Sequence, residues 1–399
     1  MTTITTPPPS TDLTPEETEI TTWLAGQHEA MVDLLAEVVN IDSGSYDKAG
    51  VDEVGQRFVA FFDGHDMPTE IEQHETYGDA IHVQLDTKPT NEKPILLMGH
   101  RDTVFSKGEA GRRPFKIVDG IAHGPGVSDM KAGLVMNAFV LAAFKKFGSN
   151  PAPLRGLITS DEEIASPSSR PIIERVARES RCVFNAEPSR PTGAVVTGRK
   201  GGVFMRLTVE GKAAHSGGNF EKGISAIGDM AHRIVAIHAL TDVPAGITLN
   251  VGIVQGGTSV NMTAPTCEAR IDMRYVEPEQ RVATLDALCQ IAEATHIEGA
   301  TAKLEVLGEF LPLVQSADGE AMFENYQRAA QAVGVSITGE FSGGCADSGF
   351  TAGVGCPTLC SMGPVGGNAH TPEEFMDVSS LVPRAQALAL AIMRLPTAA

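Results

Sequence analysis

The chain has 399 residues, 42% hydrophobic and 20% charged, which is enough for two or three domains with sizeable cores. Lys plus Arg total 31 against 50 for Asp plus Glu, and the resulting formal net charge of -19 excludes nucleic acid and anionic membrane surfaces as partners by repulsion. The six cysteines (Cys182, Cys267, Cys289, Cys345, Cys356 and Cys360) lack zinc-finger spacing and predict free thiols in a reducing cytoplasm.

Residues 1–17 are rich in Thr and Pro, without a basic start followed by an apolar run, and read as a flexible tail rather than a secretory signal. Thr14 followed by Pro15, Glu16 and Glu17 marks a helix start. Trp23, Leu24, Met31, Leu34, Leu35 and Val38 fall on one face of that helix, which is predicted to end near Asn40. A second helix is expected over about residues 51–62. Residues 94–98 form a buried strand, residues 99–127 a loop, and residues 131–147 a helix stopped by Gly148. Strands at 154–159 and 182–185 flank a helix at 170–179. No run reaches the ~20 apolar residues needed to cross a bilayer. Alternating strands and helices predict an α/β domain with a mixed, largely parallel sheet covered on both faces.

The texture changes between about residues 199 and 310. Val203, Met205, Leu207 and Val209 alternate with their neighbours, as in a half-exposed strand. A helix at about 223–240, strands at 247–254 and 267–276, a helix at about 278–294 and a strand at 303–310 complete a β-α-β-β-α-β order. That order is ferredoxin-like, and its exposed sheet edge suits pairing across a dimer axis. Strand–helix alternation resumes after Pro312, so this α+β domain is inserted in the larger one.

Five segments put metal-competent side chains at strand ends or in Gly-rich loops: His100 to Val104, Gly124 to Lys131, Thr159 to Glu163, Asn185 to Pro188 and Gly367 to His370. Ligand sites in open α/β sheets lie outside the carboxyl ends of the strands. Taken singly, His100 is an ordinary polar residue, Asp129 a helix N-cap and Asp161-Glu162-Glu163 a solvated loop. The apolar strand leading into that acidic triplet makes three like charges costly unless cations neutralise them. Imidazole plus carboxylate without thiolate suits zinc or a neighbouring divalent ion. Two His and three carboxylates can hold a pair of ions ~3.5–4 Å apart if one carboxylate bridges. Of the adjacent Glu162 and Glu163, one supplies a ligand and the other a base, and Asp102 is placed to orient the His100 imidazole.

These motifs, H-x-D-T-V at His100, G-P-G-x-x-D-x-K-x-G at Gly124, D-E-E at Asp161, and the downstream Glu187 and His370, resemble the zinc aminopeptidase-like family. That family comprises glutamate carboxypeptidases, aminoacylases, acetylornithine deacetylase and succinyl-diaminopimelate desuccinylase. The motifs are most similar to those of the bacterial glutamate carboxypeptidases. The resemblance implies a discontinuous di-zinc catalytic domain (residues 18–198 and 311–399) around a lid and dimerisation domain (residues 199–310). It implies two Zn2+, or Co2+ or Mn2+, bridged by Asp129, with His100 and Glu187 on one ion and Glu163 and His370 on the other. Glu162 is then the general base, and the Asp129-Met130 peptide is cis. In the inserted domain, His215 of G-K-A-A-H-S-G is implied to stabilise the oxyanion in a partner subunit's site. Asn261, Arg274 and Gly344 are implied to contact a small N-acyl amino acid or dipeptide-like substrate, Asn261 and Arg274 at the substrate's carboxylate.

Two departures from the folate-cleaving enzymes stand out. The stretch Gly308 to Pro312 lacks their additional Arg, and Cys345 replaces a small residue in the loop Ser342 to Asp347. The missing Arg, a lost partner for a side-chain carboxylate, argues against strict glutamate specificity, in favour of an amino acid with a smaller, neutral or apolar side chain or of an acyl group recognised by Phe310 and Leu311. A deacylase of the acetylornithine type and a non-catalytic binding protein on the same scaffold are the alternatives.

Overall fold

A computed structural model describes residues 13–86 and 91–396. The expected tail lies mostly outside these residues. From Thr14 onward the chain is not a tail, because Thr14 caps α1 (Pro15–Ala25) in a reciprocal capping box with Glu17. Glu17 is buried and accepts two hydrogen bonds from Arg394, at 2.6 and 2.9 Å, which fasten α1 to the helix Leu381–Met393. The single first helix predicted from the sequence is two. α1 ends at Gly26, and α2 (His28–Val39) carries the apolar stripe onward with Met31, Leu34, Leu35 and Val38 buried.

The chain divides into two compact units: one runs up to Gly198 and resumes over Gln315–Phe341 and from Phe350 onward, the other comprises Arg199–Val314 and Ser342–Gly349. The loop 342–349, expected with the catalytic segment, therefore groups with the inserted unit. Lys200 N–H donates to the Ser342 carbonyl, and the Arg199 guanidinium donates to the carbonyls of Gly344 and Cys345.

The first unit contains β1 (Thr69–Glu72), β2 (Ala80–Leu85), β3 (Ile95–His100), β4 (Leu154–Thr159) and β5 (Cys182–Asn185). With the short strand Thr358–Leu359 they form a mixed sheet in the order β1-β2-β4-β3-β5-(358–359). The last four of these are parallel, and β1 and β2 run antiparallel at one edge. The parallel strands are almost wholly apolar and buried, as expected for strands covered on both faces. Besides α3 (Lys48–Gly64), the covering helices include α4 (Ala132–Phe147), buried at every position from Ala132 to Phe144, and α5 (Ser169–Glu179). The segment Val127–Phe147 is long and apolar enough to span a bilayer, but 94% of its apolar window is packed inside the unit; it is the core helix. Gly133 lets α4 approach the chain beyond β5, since a Cβ there would lie 1.9 Å from the Ala186 carbonyl oxygen.

Register sets the stage for the site. His100 pairs with Thr159, and Met98 with Asn185, so the carboxyl ends of β3, β4 and β5 finish side by side. Residues 100–102, 161–163 and 187 leave the sheet at this common edge.

In the second unit, β6 (Gly201–Glu210), α6 (Ala226–His238), β7 (Thr248–Gly256), β8 (Thr266–Tyr275), α7 (Pro278–Glu293) and β9 (Thr301–Phe310) follow the predicted β-α-β-β-α-β order. The antiparallel sheet has the order β7-β8-β6-β9. Val203, Met205, Leu207 and Val209 are buried with Met230, Ile237 and Leu288 of the two helices. The edge strands expose Ile253 and Val254 on β7, and Val306 and Leu307 on β9.

Candidate metal centre

Five of the predicted residues converge at that sheet edge. His100, at the end of β3, is buried, and its Nε2 lies 3.3 Å from Asp129 Oδ1, 3.7 Å from Glu187 Oε1 and 3.9 Å from Glu162 Oε2. His370 Nε2 lies 3.3 Å from the other Asp129 oxygen, Oδ2, and 3.1 Å from Glu163 Oε2. The result is two groups, His100–Asp129–Glu187 and Asp129–Glu163–His370, in each of which the donor atoms all lie within 4.8 Å of one another. Asp129 belongs to both, one oxygen turned to each histidine.

The fit to a divalent ion rests on three observations. His100 Nε2 is a buried ring nitrogen with no hydrogen-bond partner, although carboxylate oxygens surround it. Two ligands of a tetrahedral ion with bonds of ~2.0–2.1 Å stand about 3.3 Å apart, the separation seen between Asp129 and each imidazole. The donor set is imidazole and carboxylate, and among the described residues no cysteine joins a candidate metal group, Cys356 and Cys360 included. Electrostatics point the same way. Burial, and then the charge of Asp129, push the Glu163 carboxyl up to about 7, while Asp129 and Glu163 raise the His370 imidazole to about 10. So crowded an acidic cluster must be neutralised by protons or by cations, and a cation that enters displaces protons.

Asp102 holds the arrangement together. Its carbonyl oxygen lies 3.1 Å and its carboxylate 3.3 Å from His100 Nδ1, which directs Nε2 at the cluster. The same carboxylate accepts the Ser45 hydroxyl at 2.6 Å and the backbone amides of Glu162 and Glu163 at 3.1 and 3.2 Å. One buried acid thus fixes both the imidazole and the turn that presents the two glutamates. Asp161, the first acid of the triplet, faces elsewhere and accepts the amide and hydroxyl of Ser168, each at 2.6 Å. The Asp129-Met130 peptide is cis.

Two residues play supporting roles that the sequence does not assign, one of them the Lys of the Gly124 motif. Glu374, fully buried, accepts the backbone amides of Gly126, Ser128 and Asp129 at 2.8–2.9 Å and so anchors the loop that carries the shared carboxylate. Lys131 is buried and donates to the carbonyls of Val38 and Ile41 at 2.9 and 3.0 Å, tying that loop to the end of α2. The only hint of Glu374 is an acid four residues after His370 and just before an apolar strand. Glu374→Gln keeps the shape but removes one acceptor, and should weaken metal affinity by about 10–100-fold, read by competition with a chromogenic chelator. Wild-type affinity in a protein with wild-type melting temperature would show that the loop holds without it.

Residues 96–394 match the profile of Peptidase family M20/M25/M40. The chain belongs to this family. It is 26% identical over 379 residues to carboxypeptidase G2 of Pseudomonas sp. (strain RS-16), which covers 92% of this chain and 90% of that relative. It is 29% identical over 327 residues to acetylornithine deacetylase of Pasteurella multocida (strain Pm70), over 76% of this chain and 81% of the relative. Its fold is that of the M20 family metallo-carboxypeptidase Sso-CP2 from Sulfolobus solfataricus, with a TM-score of 0.77 at 17% identity, covering 91% of this chain and 98% of that one. This M20-family protein is a metal-dependent hydrolase.

The inserted unit of this M20 protein carries the other four predicted residues. His215 is exposed, and its Nδ1 accepts the amides of Gly217 and Gly218, each at 3.1 Å. That leaves the proton of the neutral ring on Nε2, poised to donate. Asn261 is exposed beside it, its carbonyl accepting the Ser216 amide at 3.0 Å. Arg274, on β8, is partly buried; its Nε donates to Asp272 Oδ1 at 2.9 Å, its Nη1 to Cys345 Sγ, and its guanidinium lies 5.2 Å from the Phe204 ring centroid. Cys345 is therefore a fastening for Arg274, next to exposed Gly344. Phe310 cannot read an acyl group as expected: it is buried edge-on to Phe204, and its carbonyl accepts the Tyr275 hydroxyl at 3.1 Å.

Proposed function

We propose that the protein hydrolyses the amide bond of an N-acyl or peptidyl amino acid, using two zinc ions held by His100, Asp129, Glu163, Glu187 and His370. The reading is carried by one observation: a single aspartate divides its two oxygens between two histidine–carboxylate groups, with a further buried glutamate alongside. Two cations held there supply Lewis acidity to the scissile carbonyl and to the attacking water. Glu162, close to the first group without being one of its three residues, takes the proton from that water and passes it to the leaving amine. Asp102 keeps the His100 imidazole in one orientation throughout. Arg274, with its planar fork held by Asp272 and Cys345, grips the carboxylate of the amino-acid moiety, with Asn261 and Gly344 lining the same substrate. The Nε2–H of His215 stabilises the oxyanion that forms on the carbonyl. The proteins named carboxypeptidase G2 and acetylornithine deacetylase, similar to this chain, both fit an amide substrate.

The test is release of free amino acid from a panel of N-acyl amino acids and dipeptides, before and after chelation and zinc add-back. Loss of at least ~99% of the activity on chelation, restored by zinc, is expected. Release that ignores the chelator sinks the reading. Comparable turnover of N-acyl-glutamate and N-acyl-alanine is expected, because no extra arginine stands in Gly308 to Pro312.

We further propose a cytoplasmic homodimer paired through the β7 edge of the inserted unit, where Ile253 and Val254 are exposed, with His215 serving the other subunit's site. The six free cysteines suit a reducing compartment. Mixing His215→Ala and Glu162→Gln subunits is expected to restore up to about a quarter of wild-type activity, since one site of each mixed dimer becomes intact and half of randomly assorted dimers are mixed. No recovery in verified heterodimers would place His215 in its own subunit.

A further inference from the structure

The middle residue of His100-Arg101-Asp102 belongs to neither donor group, yet it is among the largest fully buried side chains, 1% exposed. Consecutive side chains of an extended chain leave on opposite faces. His100 turns to the metal donors, and Arg101 turns away from them to α3. All five guanidinium N–H bonds are used there. Nε donates to the Val51 carbonyl of α3 at 2.9 Å, and Nη1 to the carbonyls of Ile158 and Thr159, each at 3.2 Å. Nη2 donates to Asp52 Oδ1 at 3.2 Å and to the Asp79 carbonyl. Asp52 is itself fixed: Oδ1 accepts the Asp79 amide at 2.8 Å, and Oδ2 lies 2.8 Å from Lys48 Nζ, which also pairs with Asp79. A Cβ at Gly78 would lie 2.5 Å from Val51 Cγ1 and 3.2 Å from Arg101 Nη2, so only a glycine lets the loop before β2 close over the guanidinium.

The place of two of these acceptors gives the network a role beyond packing. Ile158 and Thr159 are the last residues of β4, and only Ser160 separates them from the triplet Asp161-Glu162-Glu163. The Thr159 carbonyl receives the Arg101 amide as well, at 3.1 Å, and the Ser160 hydroxyl donates to the Gly78 carbonyl at 2.5 Å. Asp102 meanwhile holds the amides of Glu162 and Glu163. Two neighbours in the chain thus grip one turn, Arg101 at the strand that leads into it and Asp102 inside it. Stability alone does not account for such a group, since a buried ion pair is often no better than apolar residues of the same volume.

We propose that Arg101 is a positioning residue that fixes the Glu162–Glu163 turn relative to His100, and so sets the affinity of the second metal group, Asp129–Glu163–His370. The inference rests on the two-zinc reading above. A lysine at 101 keeps the charge, but its three donors at one point cannot reach α3, the loop before β2 and the end of β4 together. The turn then loosens at Glu163, while His100, Asp129 and Glu187 keep their own supports.

Zinc is titrated into metal-free protein against a chromogenic chelator, which separates two binding steps, and melting temperatures of the metal-free forms are recorded beside them. Arg101→Lys is expected to weaken the second step about tenfold and to leave the first within about threefold. Asp52→Asn, which removes one acceptor and leaves Arg101 in place, should weaken the second step about threefold and carries the test should Arg101→Lys not fold. Glu17→Gln, which breaks the buried ion pair to Arg394 between the first and last helices, serves as the stability control. It should lower the melting temperature yet leave both steps within about twofold. An unchanged second step, equal weakening of both steps, or the same pattern in Glu17→Gln overturns the proposal. Wild-type protein that takes up no second zinc overturns the two-zinc reading together with it, whereas two wild-type steps with an unaltered second step in the variants overturn this proposal alone.

Discussion

Replacing Glu162 by Gln is expected to lower kcat by about 10²–10⁴-fold while leaving the metal content unchanged. Glu162 and Glu163 are neighbours on one tight turn, and the Asp102 carboxylate grips the amide of each, at 3.1 and 3.2 Å. From that common anchor their side chains diverge. Glu163 reaches His370 and shares a donor group with Asp129, whereas Glu162 belongs to neither group and stops 3.9 Å from His100 Nε2. A glutamine at 162 keeps volume and hydrogen-bonding reach but cannot accept a proton. A glutamine at 163 removes a negative charge from a donor group and should show first as weakened metal binding. The two variants therefore separate in a paired measurement of single-turnover rate and bound metal. Near wild-type turnover in Glu162→Gln, or metal loss there in place of Glu163→Gln, would reverse the roles assigned to the two acids.

Asp129→Ala should abolish binding at both groups, with activity falling by more than ~10³-fold. The reason is geometric: Oδ1 lies 3.3 Å from the His100 nitrogen and Oδ2 3.3 Å from that of His370, so one side chain faces both candidate groups. His370→Ala should cost only the second ion, since His100, Asp129 and Glu187 remain. Native mass spectrometry of the zinc-loaded proteins is expected to read two ions for the wild type, one for His370→Ala and none for Asp129→Ala. One tightly held ion in Asp129→Ala would mean that the groups are independent and that no carboxylate is shared.

These expectations also show where a sequence stops being informative. The residues of the centre were legible in the chain because each is a charged or imidazole side chain placed just after an apolar strand or in a glycine-rich loop. Such a position is costly unless something neutralises it. The elements themselves were legible from local periodicity: period two in Val203 to Val209, continuous apolar runs in β3, β4 and β5, and Gly148 as the stop of α4. The break between α1 and α2 was not, because the apolar stripe continues in phase across Gly26 and Gln27.

The sequence by itself determined the α/β class, the inserted β-α-β-β-α-β unit and the donor types, which follow from local patterns and residue chemistry, while the family came from the resemblance of its motifs. Only the tertiary structure decided which groups meet across long stretches of chain. Glu374 anchors the amide of Asp129 from 245 positions away, and nothing near it in sequence announces the partner. The loop Ser342–Gly349 joins the inserted unit through Arg199, Lys200 and Arg274, against its place in chain order. Tyr46 and Val104, far apart in the chain, line one cleft beside the bridge between Gly44 and Thr103. The physical reason is common to all three: a backbone hydrogen bond or a shared cavity depends on where distant segments are brought by the packing of the whole unit, and no local pattern encodes that distance.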